Sequence, residues 1–287
     1  MALLDPVRRA KHLAFVARKR SRRRLKATKF ALATRVFRDI ERVRPFVYRP
    51  ARHAGTFLAD DVPPTGQSVF PERVFVVWAG DNEMSPNRQR NLEIVERRIG
   101  LPVELVTPAT LDRWLVPGHP LPPAYEHLSL VHRSDYLRGY LMHHHGGAYV
   151  DVKEPLGSWR PSHEQMAGDR DAWVTSYRTS DANWIGKLRG PLGLDILVRY
   201  RLMFGKSGFM MRSHTPLTAA WMERMDTVLE DNLEQLAEHP GGVFGDDGEY
   251  PLSWTDLLGR VLDPLTLKHV EHVRHDDRML LEFEDYR

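Results

Sequence analysis

Two carboxylates and one guanidinium occur at spacings that bring them to one place. Asp135 and Arg138 are three residues apart in a predicted helix, so they share a helix face. A strand follows that helix and ends at Asp151, and ligands of α/β sheets bind at the carboxyl ends of strands. Carboxylates accept hydrogen bonds from sugar and ribose hydroxyls, and arginine offers oxygen anions a planar fork. The set therefore suits a sugar nucleotide, although Asp135 and Arg138 taken alone are also compatible with a surface ion pair.

Two neighbouring motifs give these residues a family context. Residues 132–138 contain Ser-Asp-x-x-Arg, and residues 145–151 contain Gly-Gly-x-Tyr-x-Asp. Together they resemble the DXD region of the family 32 glycosyltransferases, whose bacterial members include capsular polysaccharide synthesis proteins. Residues 77–82 are similar to the opening strand and nucleotide loop of that group, and residues 250–254 to a segment near the end of its capsular members. The resemblance covers residues 70–287.

The resemblance implies a GT-A fold, which is a Rossmann-type α/β fold, and a nucleotide sugar as donor substrate. It implies transfer, with retention of anomeric configuration, to a hydroxyl of a saccharide or glycolipid acceptor in capsular or surface polysaccharide synthesis. By motif position, Asp135 and Arg138 hold the donor sugar and its phosphate region, Asp151 is the first carboxylate of the DXD motif, and Trp78 lines the base pocket. The other expected donor-binding residues are Ala79, Gly80, Asp81, Asn82, Tyr136 and Gly147.

The third DXD position departs from the family pattern, because this chain has Lys153 there. The second carboxylate of the motif normally binds the Mn²⁺ or Mg²⁺ ion that bridges the diphosphate, so metal dependence is in doubt. Strand alternation places Asp151 and Lys153 on the same side, where a fixed ammonium can offset diphosphate charge. Alternatively, Lys153 pairs with Glu154 or another acid and a different residue binds the ion. Asp151 and Glu154 are the candidate metal ligands.

Further candidates lie in two later segments and in a histidine run. Asp246 and Asp247, in a glycine-rich loop, can contact the acceptor or close over the donor, with a solvated loop as the alternative. Tyr250 and Trp254 can form a platform for a sugar ring, or can anchor a helix in the core. The run 143–145 cannot chelate one ion, because successive helical residues diverge by about 100°.

The charge is divided unevenly along the chain. Residues 1–50 hold 16 of the 41 Lys and Arg residues but 3 of the 38 Asp and Glu residues, a net charge of +13 against −10 for the remainder. The apolar residues of this arm recur at helical spacing. Such a helix could lie on an anionic membrane surface, bind nucleic acid phosphates, or pack its apolar face on the rest of the protein. We expect residues 1–44 to bind an anionic membrane surface. The protein would then be cytoplasmic and peripheral at the inner face of the membrane. Nucleic acid is the weaker expectation for the partner of this arm.

The apolar pattern after the arm predicts an α/β body. Proline and glycine mark residues 51–70 as a linker, and residues 71–287 form the proposed catalytic domain after the helical arm of residues 1–50. A short apolar run, a capped amphipathic helix and a second short run predict a βαβ unit. Predicted strands occupy 74–78, 103–106, 148–152, 173–177 and 208–212, and predicted helices begin at Pro86, near Ala124, at Pro216 and at Ser253.

Composition limits the remaining possibilities. The chain has no cysteine, which excludes disulfides and thiolate metal sites. The function that the motif resemblance implies is that of a glycosyltransferase. Its rival is a non-catalytic protein with a GT-A fold that is recruited to a membrane or nucleic acid through the basic arm.

Overall fold

The computed structural model describes Val36, Asp39, residues 43–245 and residues 248–284. The chain divides into two units, Met1–Val47 and Tyr48–Arg287. In the first unit Val36, Asp39 and Val43 are helical, and the membrane and nucleic-acid predictions for the arm fall on residues outside the described ones. Among the helices of the described residues, none is long and apolar enough to cross a membrane.

The second unit contains a mixed sheet of six strands. They are β1 Val74–Val77, β2 Val103–Val106, β3 Gly147–Val150, β4 Val174–Arg178, β5 Phe204–Met211 and β6 Val273–His275. The strand order is β2-β1-β3-β5-β4-β6. β1 runs parallel to β2 and β3, β5 runs antiparallel to β3 and β4, and β6 is parallel to β4. The predicted α/β class and the βαβ unit are confirmed.

Seven α-helices in the described residues cover the sheet and connect its strands. They are α1 Pro86–Arg98, α2 Leu130–His144, α3 Arg160–Gly168, α4 Gly190–Val198, α5 Pro216–Asp231, α6 Leu233–Glu238 and α7 Gly259–Lys268. α2 packs on β1 and β3 and also on α5. A Cβ built on Gly139 of α2 would lie 2.3 Å from the terminal methyl group of Met225, so a larger residue there would require the Met225 side chain of α5 to move.

Two predicted helix starts are wrong. α2 begins at Leu130 rather than near Ala124, because Leu128 is extended and the Ser129 hydroxyl caps the helix by accepting from the His132 backbone N–H at 3.3 Å. The last predicted helix begins at Gly259, since Ser253 starts a turn in which its N–H donates to Asp256 at 2.8 Å.

The segment expected to be a linker packs on the domain. Leu58 is 1% exposed. Arg52 donates twice to Asp195, at 2.6 and 2.9 Å, and the Val69 N–H donates to the Ser213 hydroxyl at 2.9 Å. Proline and glycine in residues 51–70 therefore shape a fixed loop on the surface of the domain.

A histidine cluster closes the end of α2. The His143 ring lies 4.8 Å from that of His144 and 4.9 Å from that of His214, and His119 lies 4.7 Å from His144. The Thr65 hydroxyl is 3.1 Å from His143 Nε2 and 2.9 Å from His214 Nδ1. Burial and the neighbouring histidines lower the pKa of His143 to about 4 and that of His144 to about 3. The rings of His143 and His144 are therefore neutral packing groups at neutral pH.

This cluster predicts acid sensitivity. The unfolded chain takes up protons on His143 below its ordinary pKa of 6.5, whereas the folded chain does so only near 4, so the free energy of unfolding falls across this window and levels off below it. Urea unfolding at about pH 7 and about pH 5 measures the loss. His143→Gln should show a smaller loss than the wild type, and His127→Gln, outside the cluster, should match the wild type. An unchanged loss in His143→Gln would contradict the assignment.

Candidate functional site

A cleft of about 470 Å³ lies at the carboxyl ends of β1 and β3. The two strands are parallel neighbours, so Trp78 and Asp151, which follow them, reach the same edge of the sheet. β5 is antiparallel and begins at this edge, where the Asp151 N–H donates to the Ser207 carbonyl at 2.7 Å. The predicted site residues that line the cleft are Trp78, Ala79, Gly80, Asn82, Arg138, Asp151, Lys153 and Trp254.

Arg138 forms the floor of the cleft and joins three elements. Its Nη2 lies 3.0 Å from Asp135 Oδ1 and 3.5 Å from Asp151 Oδ1, and its Nη1 donates to the Lys206 carbonyl of β5 at 3.0 Å. The guanidinium lies over the Tyr149 ring, 4.4 Å from its centroid. The side chain is only 8% exposed, and its Nε has no hydrogen-bond partner among the described residues.

Asp135 lies behind Arg138 and does not line the cleft. It is 2% exposed. Burial raises its pKa, and the charge of Arg138 offsets part of this increase. The predicted donor contact of Asp135 is therefore corrected. Its carboxylate holds the guanidinium, which makes it a positioning residue.

Asp151 is surrounded by donors from its own chain. Its Oδ1 accepts from the Tyr149 hydroxyl at 2.9 Å, and its Oδ2 accepts from Lys153 Nζ at 2.8 Å. Burial would raise its pKa, but Lys153 and Arg138 outweigh burial and hold the pKa well below its usual range. The carboxylate is therefore ionised at neutral pH.

Lys153 lines the cleft, but the predicted strand alternation does not place it there, because β3 ends at Val150 and the Lys153 N–H donates to the Asp151 carbonyl in a tight turn. It is 7% exposed, and its ammonium also donates to the Ser207 hydroxyl at 2.8 Å. Glu154, the alternative metal ligand, pairs with Arg98 of α1 and is not among the residues that line the cleft. A divalent ion at Asp151 would share one carboxylate with an ammonium, and the like charges would repel each other. The donor set therefore fits such an ion poorly.

The loop after β1 forms one wall of the cleft. The Trp78 indole N–H donates to the Asn82 carbonyl at 2.7 Å, which folds residues 78–82 into a turn. A Cβ on Gly80 would lie 2.6 Å from Leu130, so this turn needs glycine to approach α2. Asp81, in the same turn, does not line the cleft.

Two further donor-binding predictions fall on residues outside the cleft. Tyr136 points to α5, where its hydroxyl donates to Asp226 at 2.8 Å. Gly147 begins β3 with a φ of +99° and packs against the Arg73 backbone. The helical period turns Tyr136 away from the ligand edge, and Gly147 lies at the opposite, amino end of β3.

Of the residues predicted to contact the acceptor, one lines the cleft and one is buried outside it. Trp254 is 54% exposed and lines the cleft beside Phe244, which is 53% exposed. Tyr250 is buried, and its hydroxyl donates to His132 Nδ1 or accepts from it at 3.0 Å, so it anchors the loop. Asp246 and Asp247 lie outside the described residues.

Sequence reasoning missed several lining residues. Arg88 stands in the first turn of α1, directly after the β1 loop, and the Ser85-Pro86 helix start was sufficient to place it at the ligand edge. Ser134 was inside a recognised motif. Phe244 had no such signal, because a loop brings it to the cleft. Arg88, Ser134 and Phe244 are thus residues of the cleft that the sequence analysis did not identify.

Because Asp135 and Arg138 form a buried ion pair, we expect Asp135 to contribute strongly to the stability of the fold. Asp135→Asn removes the closest carboxylate from a buried guanidinium, so the free energy of unfolding should fall by about 3 kcal/mol. Glu83→Gln, an exposed acid at the same cleft, should change it by less than about 0.5 kcal/mol. Chemical denaturation of both variants measures the difference, and equal stabilities would contradict the role of Asp135.

Comparisons of this chain with protein-family models, with curated proteins and with solved structures give no match. The assignment to a family therefore remains a prediction from the motifs. The chemistry proposed below depends on the residues at the cleft and on their contacts.

Proposed function

We propose that this protein is a glycosyltransferase that moves a sugar from a nucleotide-sugar donor to a hydroxyl of a saccharide or glycolipid, in the synthesis of a surface polysaccharide. The observation that carries the proposal is Arg138, which lines the cleft although its side chain is only 8% exposed. The carboxylates of Asp135 and Asp151 lie 3.0 and 3.5 Å from its Nη2. Such a fixed fork suits a phosphate or sugar oxygen.

The cleft offers a separate contact for each part of a donor. Trp78 supplies an aromatic surface for the base on the β1 side. Asp151 and Ser134 offer acceptors for hydroxyls, and Arg138 and Lys153 supply cations for the diphosphate. Trp254 and Phe244 form an exposed apolar wall on which an acceptor sugar ring can stack. This division of chemistry along one cleft favours group transfer from a nucleotide sugar over binding of an apolar ligand.

We infer that Lys153, rather than a divalent ion, meets the charge that develops on the leaving diphosphate. Its ammonium is held in place by Asp151 and Ser207, each at 2.8 Å. A cation fixed before the reaction stabilises developing negative charge without reorganisation at the moment of transfer. Low exposure strengthens this interaction relative to water.

The proposal predicts nucleotide release that depends on Arg138. A panel of UDP-, GDP-, ADP- and CMP-sugars identifies the donor by nucleotide release with and without saccharide acceptors. Arg138→Lys should lower kcat/KM by about 100-fold, because an ammonium loses the planar fork and shifts the bound phosphate. Arg133→Lys, on the same helix but outside the cleft, should leave the rate near that of the wild type.

Two results would contradict the proposal. Near wild-type turnover in Arg138→Lys would show that Arg138 does not bind the donor. Donor binding by the wild type without turnover on any acceptor would favour the rival function, a non-catalytic binding protein.

The role of Lys153 predicts resistance to chelation. Wild-type turnover should remain within about twofold after exhaustive EDTA treatment, since the protein supplies the cation. Lys153→Asp should be weak in EDTA and should recover when Mn²⁺ or Mg²⁺ is added, because a second carboxylate completes a metal site. Complete, metal-reversible loss of wild-type activity would contradict this role, while leaving the transferase assignment in place.

A further inference from the structure

The Lys153 ammonium has an aromatic neighbour besides Asp151 and Ser207. Lys153 Nζ lies over the ring of Phe283, 5.0 Å from the ring centroid. At this distance the negative face of an aromatic ring attracts a cation. The ring accepts no proton and carries no net charge, so it leaves the positive charge of the ammonium intact. Phe283 thus contacts a charged group of the cleft without lining the cleft itself.

Backbone pairing holds Phe283 next to Lys153. Residues 280–282 run antiparallel to residues 154–156, which directly follow Lys153 along the chain, and two backbone hydrogen bonds of 2.8 and 2.9 Å join the two segments. Phe283 comes directly after the first of these segments. The ring and the ammonium are therefore attached to paired backbone, and the fold sets the distance between them.

Two further rings pack against the Phe283 ring. Its centroid lies 5.4 Å from that of Trp184 and 6.1 Å from that of Tyr177 of β4, which it meets edge-on. Phe283 also packs against the core of the domain. A side chain that is already packed loses little rotamer freedom when it holds a cation. The ring is therefore a fixed partner of the ammonium.

We propose that Phe283 is a positioning residue for sugar transfer, which holds the Lys153 ammonium in place at the cleft without neutralising it. This inference rests on the proposed function, in which that ammonium meets the charge on the leaving diphosphate. A carboxylate in place of the ring would also hold Lys153 but would cancel its charge. An aromatic ring attracts the ammonium and leaves its charge available to an anionic ligand.

A role in packing alone makes a different prediction. Phe283→Tyr keeps the ring and adds a hydroxyl, whereas Phe283→Leu keeps an apolar side chain and removes the ring. If only packing matters, the added hydroxyl disturbs the site at least as much as the smaller leucine does. If the ring acts on the ammonium, tyrosine preserves activity and leucine does not.

Phe70→Leu provides a matched control. Phe70 packs on the same core as Phe283, and the Arg212 guanidinium lies over its ring, 5.4 Å from the centroid. Neither Phe70 nor Arg212 is among the residues that line the cleft. The control variant therefore loses a ring and its cation–π contact without affecting Lys153.

The first measurement is steady-state kinetics in EDTA, with the donor that the nucleotide-sugar panel identifies. Phe283→Leu should lower kcat about fivefold and leave the donor KM within about twofold, because a poorly placed ammonium weakens an interaction made mainly in the transition state. Phe283→Tyr and Phe70→Leu should both turn over within about twofold of the wild type, since each keeps the ring over Lys153.

The second measurement reports the contact without turnover. In protein that carries isotope-labelled lysine, the ring current of Phe283 should move the NMR signal of the Lys153 ε-methylene protons upfield from the signals of exposed lysines. The absence of this signal in Lys153→Gln assigns it. In Phe283→Leu the signal should move back toward the position of exposed lysines, and in Phe283→Tyr it should stay.

The outcomes separate this inference from the function on which it rests. Three results would each overturn the role of Phe283 alone: equal kcat in Phe283→Leu and Phe70→Leu, a loss in Phe283→Tyr as large as in Phe283→Leu, or an unshifted Lys153 signal in the wild type. The wild-type signal and Phe283→Tyr decide the question even where the leucine variant does not fold. Absence of wild-type turnover with every donor would count against the proposed function and this inference together.

Discussion

The site depends on one buried guanidinium. Arg138 connects α2 to the end of β3 through Asp151 and to β5 through the Lys206 carbonyl. A buried charge is tolerated only when it is paired, so Asp135 and Asp151 stabilise the fold by pairing with Arg138.

The charge around Asp151 follows from this arrangement. A carboxylate that accepts from Tyr149 and Lys153 and lies beside Arg138 stays ionised but has little capacity left for another cation. Lys153 therefore both satisfies the acid and presents positive charge to the cleft. We propose that this ammonium, at the position where the DXD motif has its second carboxylate, takes the place of a metal ion.

Much of this arrangement is predictable from local patterns. The strand near Val74, the Ser85 cap and the convergence of Asp135, Arg138 and Asp151 follow from periodicity and sheet topology. Residue spacing predicts which side chains share a helix face but not how deeply each one is buried. Asp135 was therefore expected to contact the ligand, whereas in the structure it is buried behind Arg138. Phe244 and the packed segment around Leu58 depend on long-range contacts, which no local pattern encodes.

The most direct test of the central claim is a crystal structure of the protein with a bound nucleoside diphosphate, solved from crystals grown with Mn²⁺. We expect the base to lie against Trp78 and the phosphate oxygens to lie within hydrogen-bond distance of Arg138 and Lys153, without a metal between them and Asp151. A diphosphate bound through Mn²⁺ to Asp151, with Lys153 displaced, or one bound outside this cleft, would contradict it.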